Sequence, residues 1–317
     1  MSYFNKPDIS ILFATYNRMG LLEKTLSHLE RQEVDHIRWE LIVIDNGSND
    51  DTVSVLANFQ EKLPLIVLQE PQPGKNRALN RGLEVASGDL FVFTDDDVEH
   101  EPSWLAELFA ASKRWSDCSI FGGSIFPIYP PEMPAWLQED HYAMPFYAKF
   151  MPRLPEGILP LNRFPLPFGP NFAVRAKALN GLRFSTNLGP QGKSYPLGDE
   201  TEFLKRLVAK GETVVYVPQA TVRHFVGKHQ VEAAWLFQRA FNLGRGMAQL
   251  NGIRELKSLT IYCKFIERTL SGMNKVDLMD YDRTSLEHGI KYNYLQGILF
   301  EYKKLEAESE MSFGKKF

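Results

Sequence analysis

Apolar positions along the first hundred residues fall into two alternating patterns. Mainly apolar runs at Ile9–Ala14, Trp39–Asp45, Leu65–Leu68 and Leu90–Phe93 are rich in β-branched and aromatic residues and end at polar turns, so they read as strands, the first and last of them buried. Between them the spacing changes to three and four. Leu21, Leu22, Leu26 and Leu29 form one helical stripe, and a second helix is expected from about Lys75 to Ala86, opened by Pro73-Gly74 and closed by Ser87-Gly88. The small polar residues of Asp45–Thr52 suit a turn into a helix, with Asn49 or Asp50 as candidate cap. Pro102–Trp115 predicts a further helix with proline in its first turn. Such strand–helix alternation predicts a parallel α/β sheet. Ligands of these sheets bind outside the carboxyl ends of the strands.

Beyond residue 120 the pattern changes twice. Ile120–Pro170 carries prolines and aromatics (Trp136, Tyr142, Phe146, Tyr147 and Phe150) without periodicity, which suggests a functional loop or lid. A packed aromatic excursion is an equal alternative. Gly169–Arg175 reads as a short strand leaving a glycine hinge. A helix starting at Asp199-Glu200 buries Phe203, Leu204, Leu207 and Val208, and Thr213–Pro218 and Thr221–Phe225 read as two last strands. From Val231 the chain turns helical. Leu256, Leu259, Cys263, Ile266 and Leu270 recur at helical spacing among basic residues, a stripe that packs on its own domain or, alternatively, lies on a membrane face. Glu306–Phe317 is expected to be a loose tail.

Composition narrows the class. A chain of 317 residues with net charge −3 is long enough for a sizeable core and lacks the basic balance of a nucleic-acid binder. No apolar run reaches membrane-spanning length, and Met1–Asp8 has no signal-type hydrophobic region. Cys118 and Cys263, far apart and without metal-ligand spacing, are expected as free thiols in a reducing cytoplasm.

The candidate chemistry starts where Leu90–Phe93 runs through Thr94 into Asp95-Asp96-Asp97. Three adjacent carboxylates repel one another. A divalent cation offsets that charge and keeps positions open for substrate phosphates. In an extended segment Asp95 and Asp97 would face one ligand and Asp96 the other way. A solvated acidic turn is the plain alternative, but Asp45 and Asp95 both fall at strand carboxyl ends, where ligands bind. Asp199 and Glu200 could simply complement a helix dipole. His224, on a strand, is by base rate more often structural than a ligand.

Four passages resemble the family 2 inverting glycosyltransferases of the GT-A fold: Ser10–Arg18 (SILFATYNR), Leu41–Thr52 (LIVIDNGSNDDT), Pro73–Asp97 (PGKNRALNRGLEVASGDLFVFTDDD) and Gly198–Leu207 (GDETEFLKRL). Gly169–Arg175 looks like the family's acceptor-side strand, and the likeness spans about Ile9 to Phe225. It implies a Rossmann-like, mixed but mostly parallel sheet flanked by helices. Residues 1–100 would form the nucleotide-sugar half, 101–230 the acceptor half and 231–317 a helical extension. The implied donor site is Ala14, Thr15, Tyr16 and Arg18, with Asp45 on the base edge, Arg77 toward the base or phosphates and Asp96 toward the ribose and donor. Asp97 is the implied principal ligand of Mn2+ or Mg2+, with Asp95 completing the motif and His224 assisting. Gly169, Asn171 and Trp136 are the implied acceptor contacts. The family usually has Glu-Asp where this chain has Asp199-Glu200; counting back from Arg206 places Glu200 as general base, with Asp199 the alternative.

The resemblance implies transfer of one sugar from a nucleotide-diphosphate sugar, expected to be a UDP-sugar, to a glycan or glycolipid hydroxyl in cell-surface polysaccharide synthesis. The enzyme would be cytoplasmic, with peripheral membrane contact through the C-terminal helices an open alternative. The Gln-x-x-Arg-Trp signature of processive members is not present; Gln238-Arg239 is followed by Phe241. Two rivals remain. A sugar nucleotidyltransferase needs a glycine-rich basic loop after its first strand, yet no glycine precedes Gly20 there. A silent glycan- or nucleotide-binding module would not need Asp95–Asp97 together with Asp199 and Glu200.

Overall fold

The apolar runs form the centre of a nine-stranded sheet in the computed structural model, which describes residues 6–137, 144–192, 195–251, 256–273 and 283–314. Tyr142 lies outside the described residues. The chain divides into two units, one of Met1–Ile128, Tyr147–Thr186 and Glu200–Phe225, the other of Tyr129–Phe146, Asn187–Asp199 and Val226–Phe317.

The first unit begins β1 (Ile9–Thr15), α1 (Met19–Leu29), β2 (Trp39–Asp45), α2 (Thr52–Phe59), β3 (Leu65–Gln69), α3 (Lys75–Leu83) and β4 (Leu90–Phe93). It continues with β5 (Val98–His100), α4 (Trp104–Arg114), β6 (Ile120–Ile128), β7 (Gly157–Ile158), β8 (Phe172–Arg175), α5 (Ala176–Leu179), α6 (Asp199–Val208, its first residue in the other unit) and β9 (Val214–Phe225). The strand order is β3-β2-β1-β4-β8-β6-β9-β5, with β7 also on β9. β1, β2, β3, β4, β6 and β9 share one direction, and β5, β7 and β8 oppose it. Ile11–Phe13, Leu41–Ile44 and Leu90–Phe93 are buried whichever way their side chains point. A sheet covered on both faces requires that, and it is why these strands read as unbroken apolar runs.

Two expectations fail in the second half. Ile120–Ile128, expected to be irregular, is a nine-residue strand buried through Ile125. The two expected strands at 213–218 and 221–225 are one strand, β9, interrupted by a bulge. Its pairing with β6 jumps from Gly123↔Val217 to Ser124↔Thr221, leaving Pro218-Gln219-Ala220 outside the ladder. Proline has no ladder donor, so a bulge is where it fits. Gly123 is required here: a Cβ on it would meet the Ala220 carbonyl oxygen at 2.0 Å.

The fully buried Asn171 side chain closes this bulge. Its Nδ2 donates to the carbonyls of Ser124 (3.0 Å) and Ala220 (2.8 Å), and its Oδ1 accepts from Trp104 Nε1 (2.9 Å). Asn171→Ala would strand all three partners in the core. It is expected to cost at least about 3 kcal/mol in a urea titration, and an unchanged midpoint would show that the brace is dispensable.

His100 ends β5 and is buried against Trp104, ring centroids 4.2 Å apart. Thr94 Oγ1 donates to the Pro170 carbonyl (2.9 Å) and lies 2.9 Å from His100 Nε2, so that nitrogen must carry the hydrogen. Burial, with His28 nearby, pushes the His100 pKa down to about 3. The unfolded chain therefore takes up a proton below about pH 6.5 that the folded chain refuses, and stability falls as pH drops from there toward 3. The expected loss from this group between pH 7 and 5 is about 2 kcal/mol. His100→Gln should flatten that slope in paired denaturation curves; an identical slope would refute the assignment.

In the second unit α7 (Ala233–Leu250), α8 (Leu256–Ser271) and α9 (Arg283–Gly314) pack together. Leu259, Cys263, Ile266 and Leu270, the expected stripe, bury against Ala248, Leu299 and Tyr302. A buried ion pair, Arg245 Nε to Glu301 Oε2 at 3.1 Å, joins α7 to α9. The expected tail at Glu306–Phe317 is instead helical as far as Gly314. Both cysteines are free and buried. No helix among the described residues is long and apolar enough to cross a membrane.

Candidate active site

The parallel register aligns Thr15 at the end of β1 with Asp45 at the end of β2, and β4, which ends at Phe93 opposite Leu12, leads into Thr94 and Asp95 on the same side. Asp45 is buried, and its Oδ1 accepts the Ser48 N–H at 3.0 Å, which shapes the turn toward α2. Ala14 is half-buried and Tyr16 exposed. Arg77 is exposed, 3.2 Å from Gln72 Oε1.

The acidic motif does not alternate as an extended strand would. Asp96 and Asp97 sit in a turn between β4 and β5, so the three carboxylates part company. Asp95 Oδ1 takes the Lys75 ammonium at 2.7 Å. Asp96 is buried and accepts from Thr15 Oγ1 at 2.7 Å. Asp97 lies between Arg18 Nη1 (3.2 Å) and His224 Nε2 (3.3 Å). Thr25 braces the turn, donating to the Asp96 carbonyl (3.0 Å) and accepting the Val98 N–H (3.0 Å). Pairing of Val98 with His224 across β5 and β9 brings the histidine to Asp97.

Charge in this turn is unevenly shared. Burial and the neighbouring Asp97 charge push Asp96 up to about 7, more than Arg18 and Thr15 offset. Burial would raise Asp97 too, but His224, Arg18 and Lys75 outweigh it and hold this carboxyl below the usual range. Burial lowers Arg18, and the three carboxylates more than reverse that.

Aromatic packing delivers the second acidic group. Phe93, the last residue of β4, stacks on Phe172 (centroids 4.7 Å) and meets Phe203 edge-on (6.1 Å), while Phe184 stacks on Phe203 (4.0 Å). With Phe203 locked there, Glu200, one turn earlier on α6, reaches the same ammonium as Asp95: Lys75 Nζ to Glu200 Oε1 is 3.2 Å. Gly169 makes room, since a Cβ there would lie 2.3 Å from Oε1.

The structure thus brings Thr15, Arg18, Asp95, Asp96, Asp97, Gly169, Glu200 and His224 into one neighbourhood. Asn171, expected to face an acceptor, has its amide committed to the sheet bulge and works there as a brace. Asp199 is buried at 1% exposure, whereas the Glu200 side chain keeps 21%. Trp136 belongs to the second unit, in a short helical turn over Ala135–Leu137. Lys75 was given no role by the residue pattern, although a signal existed: a lysine at the first position of a helix opposes the dipole unless anions meet it.

Whether a divalent cation suits this turn can be judged from its donors. Among the described residues no group of three or more His, Cys, Asp or Glu converges as a ligand set. The donor chemistry nevertheless fits a hard cation, with carboxylates at Asp95 and Asp97 and an imidazole at His224. Burial first, and then the neighbouring Asp97 charge, raise Asp96; a cation would relieve the second of these.

Known proteins bear out the architecture. The family model described as "Glycosyl transferase family 2" matches residues 10–180. The succinoglycan biosynthesis protein ExoM of Rhizobium meliloti (strain 1021) is 25% identical over 264 residues, 80% of each chain. The mannosyltransferase PcManGT from Pyrobaculum calidifontis, solved in complex with GDP-Man and Mn2+, superposes with a TM-score of 0.54 at 19% identity, over 97% of this chain and 76% of that one. S. aureus TarS 1-349 in complex with UDP-GlcNAc gives 0.55 at 15% identity, over 96% and 92%. The shared fold is GT-A, a mixed, mostly parallel sheet flanked by helices with further helices at the C-terminus.

Proposed function

The chain belongs to glycosyl transferase family 2, and on that premise we propose that it is a metal-dependent, inverting enzyme that moves one sugar from a nucleotide-diphosphate sugar to a hydroxyl of a glycan or glycolipid. One observation carries the reading: the Asp95 and Glu200 carboxylates, from separate segments of the unit's sequence, meet across a single ammonium group at 2.7 and 3.2 Å. That adjacency supports a reading in which a donor site and a proton acceptor lie side by side.

Glu200 is the general base. It accepts the proton of the acceptor hydroxyl as that oxygen attacks the anomeric carbon from the face opposite the diphosphate. The anomeric C–O bond to the diphosphate breaks with its electron pair leaving on the nucleotide, and configuration inverts. Burial disfavours Asp199 for this task, because a general base must reach the hydroxyl within hydrogen-bond distance. Asp97, Asp95 and His224 are the residues that would hold Mn2+ or Mg2+, which supplies charge neutralisation for a departing diphosphate. Thr15, Tyr16, Arg18, Asp45 and Arg77 line the nucleotide side. A UDP-sugar is the donor to try first, and a relative that works in succinoglycan synthesis supports a polysaccharide or glycolipid acceptor.

The test is an assay of nucleoside diphosphate release from a panel of nucleotide sugars, run with Mn2+, Mg2+ or chelator and with or without acceptor glycans. Acceptor-stimulated, chelator-sensitive release and an inverted anomeric centre in the product are expected. Pyrophosphate release would instead identify a nucleotidyltransferase, and binding without release a silent module.

A further inference from the structure

We propose that Lys75 is a positioning residue for the transfer step, its ammonium holding the Glu200 carboxylate in the orientation from which it takes the acceptor proton. The proposal rests on the reading of Glu200 as base.

The loop before Lys75 is fixed. Asn46 accepts the Gly74 N–H at 2.8 Å and donates to the carbonyls of Glu70 (2.7 Å) and Gln72 (2.8 Å). Gly74, at φ +136°, then turns the chain into α3, so Lys75 leaves a backbone with little freedom. Its side chain is 18% exposed and emerges at a helix N-terminus, where the dipole repels a cation. Anionic partners must offset that cost, and they come from 20 and 125 residues away.

Glu200 is confined from two sides. The Glu200 carboxylate fills the space over Gly169, where a Cβ would lie 2.3 Å from Oε1, and Lys75 grips it at 3.2 Å. Without the ammonium, two carboxylates would face each other with their mutual repulsion unrelieved, and α6's first turn would swing Glu200 away from Asp95. The same ion pair links the base to the motif that receives the donor, so a base misplaced by even an ångström would lose transfer without losing donor affinity. A displacement of that size costs about 10²-fold in rate.

Lys75→Met, Lys75→Arg and Gly169→Ala test this in the full chain. Steady-state kinetics are combined with calorimetry of UDP and GDP binding in the presence of Mn2+. Lys75→Met should lower kcat by about 10²-fold with donor KM and nucleotide affinity within about twofold, and Lys75→Arg should recover most of the loss. Gly169→Ala, which pushes the carboxylate from its other side, should mimic Lys75→Met and guards against a folding failure of that variant. In a Glu200→Gln background Lys75→Met should change kcat by less than about twofold, because residues acting through one group are not additive. Multiplicative losses in the double variant, or a fall in nucleotide affinity that matches the fall in rate, would overturn the proposal while leaving Glu200 as base. Full turnover in Glu200→Gln alone would instead remove the base assignment.

Discussion

Glu200→Gln is expected to lower turnover by about 10²–10⁴-fold, the usual worth of general-base assistance. Glutamine keeps the size and the hydrogen-bonding oxygen of glutamate but cannot accept a proton at neutral pH. The Lys75 contact and the space over Gly169 are therefore preserved, and the fold, anchored by Phe203 on Phe93 and Phe184, is not disturbed. Nucleotide affinity should stay within about twofold, since that carboxylate acts on the acceptor side in this scheme. Separation of rate from binding is the signature. Unchanged turnover would sink the assignment, and a comparable loss confined to Asp199→Asn would transfer the role to the neighbouring acid.

Asp97→Ala is expected to weaken divalent-dependent binding of a nucleoside diphosphate by at least about 100-fold, which is ~2.7 kcal/mol. Asp97 is held in its ionised form, because His224, Arg18 and Lys75 outweigh its burial. Its removal leaves Asp95, held by Lys75, and Asp96, bonded to Thr15, as the remaining carboxylates, each already engaged by a protein donor. Arg18 also loses its 3.2 Å partner, so the basic side of the nucleotide site loosens with the acidic side. Calorimetry with UDP, with and without Mn2+, reads the effect. Equal metal-dependent affinity in Asp97→Ala and the unaltered chain would exclude Asp97 from the metal site.

β1, β2 and β4 were legible because each is buried on both faces, so its apolar residues run with little interruption. β3, half-buried at the sheet edge, was legible from the four apolar residues Leu65–Leu68. The acidic motif stood out because three adjacent carboxylates beside a buried strand are costly without a purpose; Glu200 stood out only through the family resemblance of Gly198–Leu207, since an acid at a helix start is by itself ordinary. β6 and the continuity of β9 were not legible. Gly122-Gly123 and Pro218 look like breakers locally, and only the contacts of Asn171 and Trp104 show that they serve a bulge. β5 is three residues long, too short to carry a period. The alternation expected of Asp95, Asp96 and Asp97 failed because the chain turns at Asp96. Lys75 escaped notice for another reason: both of its partners are distant in sequence, and a pattern of spacings holds no record of which acid a cation will meet. The helical run to Gly314 was hidden by a charged, apolar-poor sequence that reads as solvated tail.

The central claim is that the acidic turn after β4 receives a nucleoside diphosphate together with a divalent ion, beside Glu200. Anomalous diffraction at the manganese edge from crystals grown with UDP and Mn2+ tests it most directly. The account predicts one manganese peak within ligand distance of Asp97, bridging to the diphosphate, with Glu200 facing the sugar side. Diphosphate density bound elsewhere on the sheet, with no manganese at Asp95–Asp97, would contradict it.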